Sequence, residues 1–397
     1  MKLESFLEDN YLGAAYYSAF FVTFPVFSGY ATLFALQKEV KDAMGVPSDN
    51  SSRSQLFTTA ASMLYLGNLF FRLGHNFVFG FCSPRYRVII AIAAMCCSML
   101  ILMLVLFVLK TNTPMVLIFF AYGLGGMCIG SYESNILATV SKLGSRTVFF
   151  AIVAMPVGIS FITVGAFTVL ALSDLVEQQP GLIHFCVFCM CLIGIAIYVK
   201  CLFYTCSTRR EESENAFSIP KFLGAFQYWR VWLWGIKWNC VALMFDMFCV
   251  SAFSPGVILY VYDCPTVRWF GGSLETYWFN VIYNVCILIG DSTSRRIGYA
   301  IKMLNPFLFL ILSIIGVAIV FTEIPEIAPL GGLCISFANG CIYSQSSLKI
   351  KKTIPEQFTL IALSSWLFLG DLGSVAGSNL INLIATGMNG IYGRCDS

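Results

Sequence analysis

Charge is what this sequence has least of. Only 11% of its 397 residues are Asp, Glu, Lys or Arg, against about 25% in a soluble globular domain. A soluble fold of this length needs polar surface wherever it meets water, so the shortage excludes one. Histidine is scarcer still. The two copies, His75 and His184, exclude a His-based metal centre or an H-E-x-x-H helix. The chain has no G-x-x-x-x-G-K-[ST] loop and so no built-in ATP motor, and no T-V-G-Y-G filter of the potassium-channel kind. A membrane enzyme would need a nucleophile and a base that these residues do not assemble, and no cofactor is expected. With 24 basic against 21 acidic residues, the net charge of +3 gives no footing for nucleic acid.

What the sequence does have is apolar length. Hydrophobic residues make up 58% of the chain and aromatics 15%, and the mean hydropathy is +0.79. Lipid is therefore its main solvent. The 16 cysteines lie scattered through apolar runs, and even the C-x-x-C of Cys186 and Cys189 reads as buried packing rather than a redox or zinc pair. A helix crossing about 30 Å of hydrocarbon needs roughly 20 mostly apolar residues. Eleven such runs are present: 11–36, 55–81, 88–109, 115–140, 147–172, 182–204, 232–262, 274–289, 305–322, 330–347 and 358–386. The eighth is expected to continue as helix to residue 301. The first ten residues are acidic and the first run lacks a small-residue cleavage site, so an anchor helix is expected rather than a removable signal peptide.

The basic residues orient these spans. With the N-terminus inside, sixteen Lys and Arg fall on the inner side and six on the outer, which predicts a cytoplasmic N-terminus and an extracellular or lumenal C-terminus. The longest polar break, 205–226, holds Arg209, Arg210, Glu211, Glu212 and Glu214. It divides the chain into an N-terminal six-helix bundle (1–204), a cytoplasmic linker loop (205–226) and a C-terminal five-helix bundle (227–397). No internal sequence repeat accompanies the division. Asn50-Ser51-Ser52, in the first outer loop, reads as a glycosylation sequon. A plasma membrane is expected over an endolysosomal one.

An ionisable group at the bilayer centre costs about 2.5–3.5 kcal/mol on insertion scales and needs a partner or a wet cavity. Six candidates remain once the loops are set aside: Arg72, Glu133, Lys237, Asp246, Asp291 and Asp371. Asp291 and Arg295, spaced i,i+4, set a carboxylate and a guanidinium on one helix face. Such a pair offers acceptors and forked donors to a hydroxyl-rich or heterocyclic solute, or closes the inner end of the helix as a structural ion pair. Asn68, Arg72 and Asn76 recur every fourth residue beside His75. That stripe must face the bundle, as a pore lining or a hydrogen-bond seam, with Arg72 reaching for the inner surface. Glu133 and Asn135 follow Gly123, Gly125, Gly126 and Gly130. The glycines allow close helix contact, and Glu133, which has no packing reason to be there, is expected at a cavity. Glu133, Asp246 and Asp371 are the candidates for a proton relay; the two aspartates also have Arg72 and Lys237 as prospective partners. Tyr228, Trp229, Trp232, Trp234 and Trp238 read as an interfacial belt.

Several of these residues stand in motifs that resemble those of the equilibrative nucleoside transporter family, a solute-carrier family. Phe248-Cys249-Val250-Ser251-Ala252-Phe253-Ser254-Pro255-Gly256-Val257 is similar to the family's F-x-V-T-L-x-x-F-P-G-V, and Phe337-Ala338-Asn339-Gly340 to its F-S-N-G. Asp291 and Arg295 fall on D-x-x-G-R, with Ser294 in place of the glycine. In the first half, Asn76, the Arg85-Tyr86-Arg87 loop and Met155, Gly158 and Phe161 match more loosely, and the family's P-W-N becomes Pro25-Val26-Phe27. The resemblance implies an all-α polytopic membrane protein of eleven spans in a 6+5 two-bundle, major-facilitator-like arrangement. It further implies carriage of nucleosides or nucleobases by alternating access, facilitated or proton-coupled. Asp291 and Arg295 then bind the solute, Glu133, Asn135 and Asn76 complete the polar wall, and Phe27 supplies an apolar or stacking surface. A battenin-like endolysosomal protein, or a carrier of another small polar solute on the same fold, is the alternative reading.

Overall fold

The computed structural model describes residues 2–46, 52–141, 143–172, 181–203, 224–262, 266–301, 304–322 and 324–389. All eleven apolar runs are helical in it. They form α1 (Lys2–Ala35), α3 (Ser52–Val78), α4 (Pro84–Leu104), α5 (Met115–Ser141), α6 (Ser145–Thr163) with α7 (Gly165–Leu172), α8 (Gly181–Ile197), α9 (Trp229–Tyr262), α10 (Thr276–Ala300), α11 (Phe307–Val320), α12 (Ala328–Thr353) and α13 (Glu356–Asn389), with a short α2 (Gln37–Ala43) after the first. The fifth run is thus two helices. Asn50 and most of the expected linker lie outside the described residues.

Among the described residues, seven helices are long and apolar enough to cross a membrane: those in α1, α4, α5, α6–α7, α8, α9 and α13. The long helices α3, α10 and α12 fall outside that set because of what they carry. Asn68, Arg72 and Asn76 stripe α3, Asp291 and Arg295 lie on α10, and a serine-rich stretch with Gln345 lies on α12. These polar residues are buried or nearly so. Large apolar side chains are left on the outside. On α11, Leu308, Ile311, Ile314 and Ile315 are exposed while Ser313, Gly316 and Val320 are buried. This inverts a soluble fold, as expected where lipid rather than water is outside.

Two further features differ from the sequence reading. A two-stranded antiparallel hairpin, β1 (Thr266–Trp269) and β2 (Gly272–Glu275), precedes α10, which therefore starts at Thr276 and not at Leu274. Its two-residue turn, Phe270-Gly271, has positive φ at both positions, 46° and 82°, matching the twist of a tight hairpin. Trp232 is only 2% exposed and belongs to the core, while Tyr228, Trp229, Trp234 and Trp238 are exposed. The helical period accounts for this: Trp232 lies on the buried face with Ile236 and Cys240.

The described chain divides into two units by its internal contacts. The first comprises residues 1–162, 174–229 and 357–364, and the second 163–173, 230–356 and 365–397. In the first, the most extensive helix pairing is α3 with α5; in the second, α10 with α12.

Candidate functional site

Among the described residues, each unit carries a buried or nearly buried ion pair on its most extensive helix pair. In the first unit the glycines of α5 make the approach possible. A Cβ added at Gly130 would meet the Asn68 carbonyl and the Arg72 backbone nitrogen, and one at Gly126 the Leu64 carbonyl and the Asn68 nitrogen. With no side chain there, α3 rests backbone to backbone on α5. Arg72 then reaches Glu133, and Nη1 donates to Oε2 at 2.7 Å. The same guanidinium nitrogen lies 3.4 Å from the Ile129 carbonyl. The two side chains are 3% and 7% exposed. Arg72 therefore does not reach for the inner surface, because its partner lies across the seam.

The other expected residues of this unit are distributed around that pair. Phe27 lies edge-on to Tyr132, the neighbour of Glu133, with ring centroids 6.4 Å apart. Tyr132 shares a hydrogen bond with Thr23 at 3.0 Å, and Gly158 of α6 is seated against the Phe27 Cβ. Asn135 donates from Nδ2 to the Ser131 carbonyl at 2.6 Å, while its buried Oδ1, like the Ser131 and Ser134 hydroxyls, has no hydrogen-bond partner among the described residues. Asn76 is engaged elsewhere. Its Oδ1 accepts from Arg87 Nη1 at 2.7 Å, and Arg87 Nε donates to the carbonyls of Phe79 and Cys82. One guanidinium thus closes the end of α3 and fixes the turn into α4, supplying donors to carbonyls that a helix end leaves open.

In the second unit, α10 and α12 meet along Gly290, Ser294 and Gly298, each four residues apart. Gly340 on α12 faces Ser294, and a Cβ there would meet Ser294 Oγ, the Asp291 carbonyl and Asp291 Oδ1. A small residue is what the seam needs at position 294, and its hydroxyl donates back to the Asp291 carbonyl at 2.8 Å. Beside this contact Asp291 and Arg295 form a two-pronged pair, Nε to Oδ1 at 2.8 Å and Nη2 to Oδ2 at 3.2 Å. The guanidinium also lies over the ring of Tyr343, 4.5 Å from its centroid. Acceptor, forked donor and aromatic face converge within one turn of α10 and one residue of α12. Such a group can bind a diol through the carboxylate and guanidinium and stack a flat ring.

Asp246 of α9 is fully buried. Ser313 Oγ donates to its Oδ1 at 2.7 Å and Asn339 Nδ2 to its Oδ2 at 2.8 Å. Asp371 on α13 is 7% exposed. Lys237 pairs with neither aspartate among the described residues; its ammonium lies 3.3 Å from the Trp234 centroid and 5.1 Å from that of Trp238, both exposed rings. The sequence reading missed Tyr343, Ser313 and the role of Asn339. Tyr343 stands four residues after Asn339 and so on the same face of α12, and Ser313 is the one polar side chain in α11. Both were visible signals.

No family model matches the sequence, and no curated protein matches it. Solved structures do. The chain is similar to the E. coli fucose:proton symporter (TM-score 0.64, 12% identity, covering 95% of this chain and 92% of that one). It is also similar to the proton:xylose symporter of the major facilitator superfamily (0.67, 12%, 96% and 90%), and to a POT peptide transporter (0.59, 13%, 94% and 88%). At such identities the likeness is one of fold. The chain is an all-α polytopic membrane protein with the major-facilitator fold.

Proposed function

We propose that this protein carries nucleosides or nucleobases across a membrane by alternating access, with its N-terminus cytoplasmic. One observation carries the reading: the two-pronged Asp291–Arg295 pair capped by the Tyr343 ring. A ribose presents neighbouring hydroxyls that a carboxylate and a guanidinium can divide between them, and a base presents a flat face. The pair also belongs to a motif that resembles the family's solute site. The fold, shared with carriers of sugars and peptides, supports transport in general. Glu133 with Arg72, Asn135 and Phe27 are proposed to line the first unit's share of the path, while Asn76 is proposed to act through Arg87.

The test is uptake of labelled nucleosides, nucleobases, fucose, xylose and a dipeptide by cells lacking their own carriers. Nucleoside or nucleobase uptake that Asp291→Asn and Arg295→Ala abolish at unchanged surface expression is the expected result. Absence of both uptakes from a surface-expressed protein would overturn the reading. A second reading, a hydroxyl-rich sugar as the solute, is favoured by two structural neighbours named for fucose and xylose; uptake confined to the sugars would establish it.

A further inference from the structure

Asp246 has no use in solute binding as described above, yet its surroundings are unusually specific. An ionised carboxylate withdrawn from water is costly unless a cation accompanies it, whereas a neutral acid is not. Asp246 has no ion-pair partner among the described residues, and both its hydrogen-bond partners are neutral. The charged and titratable groups around it are few. Asp291 and Arg295 face it from α10, Cys341 from α12 and Cys249 from its own helix; α11 contributes Ser313. The helix α13, which brings Asp371, packs on Leu243, Met244 and Met247 of α9 through Gly370 and Gly373. Asp246, Asp291 and Arg295 together leave one negative charge uncompensated. A single proton cancels it.

The two neutral partners differ in what they permit. The Asn339 amide nitrogen can only donate, so it serves Oδ2 in either protonation state. The Ser313 hydroxyl can donate or accept. With Asp246 ionised, Ser313 donates to Oδ1. With a proton on Oδ1, the acid donates to Ser313 Oγ across the same 2.7 Å, and the hydroxyl hydrogen turns to its own helix backbone. The cluster keeps the same two hydrogen-bond partners in both states.

The cluster also touches the solute pair. Asn339, which holds Asp246, is followed by Gly340, whose missing side chain is what lets α12 rest on Asp291. Any adjustment of α12 that follows the state of Asp246 is therefore passed within one residue to the carboxylate of the solute pair.

We propose that Asp246 is the proton-binding site of a proton-linked carrier. It takes one proton from hydronium on the side where solute enters and returns it to water on the other, and the carboxyl O–H is the only covalent bond made and broken. The proposal rests on the reading of the chain as a carrier whose solute pair is Asp291–Arg295.

The test uses the full chain in liposomes with a pH-sensitive dye inside, an acidic exterior and a labelled nucleoside outside. Wild type should acidify the lumen as solute enters and accumulate it above the outside level. Asp246→Asn, whose amide has the shape of the protonated acid, should lose both the dye response and the dependence of entry on external pH. Infrared difference spectra recorded across a pH titration, with no solute present, give a second readout. A carboxylic acid band should titrate in wild type and be absent from Asp246→Asn; should that variant not fold, Ser313→Ala must shift the midpoint of the band. Solute entry indifferent to pH, or a band unchanged by both variants, overturns the proton site. No uptake of any nucleoside or nucleobase with the Asp246 band intact overturns the solute assignment instead.

Discussion

Arg72 and Glu133 lie on different helices with almost no contact with solvent, so removing either takes from the other its buried ion-pair partner. Breaking such a pair costs about 3–5 kcal/mol, while replacing both members with apolar residues of similar size is often neutral. Glu133→Gln should therefore sharply lower the thermal unfolding midpoint in detergent, and the double variant Arg72→Met, Glu133→Leu should restore most of it. Equal midpoints for the single and double variants would show that the pair is not coupled. In the second unit geometry matters beyond charge. Arg295→Lys keeps the cation but loses the fork and the flat stack on Tyr343, and uptake should drop by at least an order of magnitude at unchanged expression. The Asp291–Arg295 pair was legible because both residues stand on one helix, four apart. The partner of Glu133, 61 residues away, and those of Asp246, 67 and 93 residues away, were not, because helix order along the chain does not say which helices touch. Asn76 and Arg87 were both noticed, yet only the folded turn between α3 and α4 shows that one holds the other.

At the level of helices, small residues decide how close two charged faces come. Gly130 and Gly340 face backbone atoms that cannot move aside, whereas Gly123 has nothing within 4 Å of where a Cβ would sit. Alanine at the first two should cost about 1–3 kcal/mol through overpacking and disturb the neighbouring ion pair; alanine at Gly123 should be tolerated. Thermal unfolding of the three variants checks this, and equal loss at Gly123 would remove the seam as the cause. The helices themselves were readable from apolar runs, because roughly twenty such residues in lipid have few other folded options. The hairpin before α10 was not. Its strands are four residues long and its turn carries Phe270 in a conformation more usual for glycine or asparagine, so no turn motif announced it. The break between α6 and α7 falls between Thr163 and Gly165, residues that a lipid-crossing run tolerates, so it did not stand out.

The two units repeat one construction. The second and fourth apolar runs meet through a glycine seam with a guanidinium beside it in the first unit, and the eighth and tenth do so in the second. Residue identities differ, Arg72 bonding across the seam and Arg295 along its own helix, which is why the sequence shows no repeat. Orientation is open to a direct check: Asn50→Gln should increase gel mobility if the first outer loop is glycosylated, and unchanged mobility would weaken the outer placement. Arg72–Glu133 and Asp291–Arg295 each sum to zero, so a neutral solute can pass them without displacing net charge. On the proposal above, the proton on Asp246 is then the charge that crosses. Membrane voltage should accordingly do work on the carrier, about 2.3 kcal/mol per 100 mV for one elementary charge. In vesicles held interior-negative by a potassium diffusion potential, wild type should concentrate its solute further than at zero potential, while Asp246→Asn should be indifferent to the potential. How much solute a vesicle or cell bearing the protein can hold would be set by the electrical state of its membrane as much as by the acidity outside.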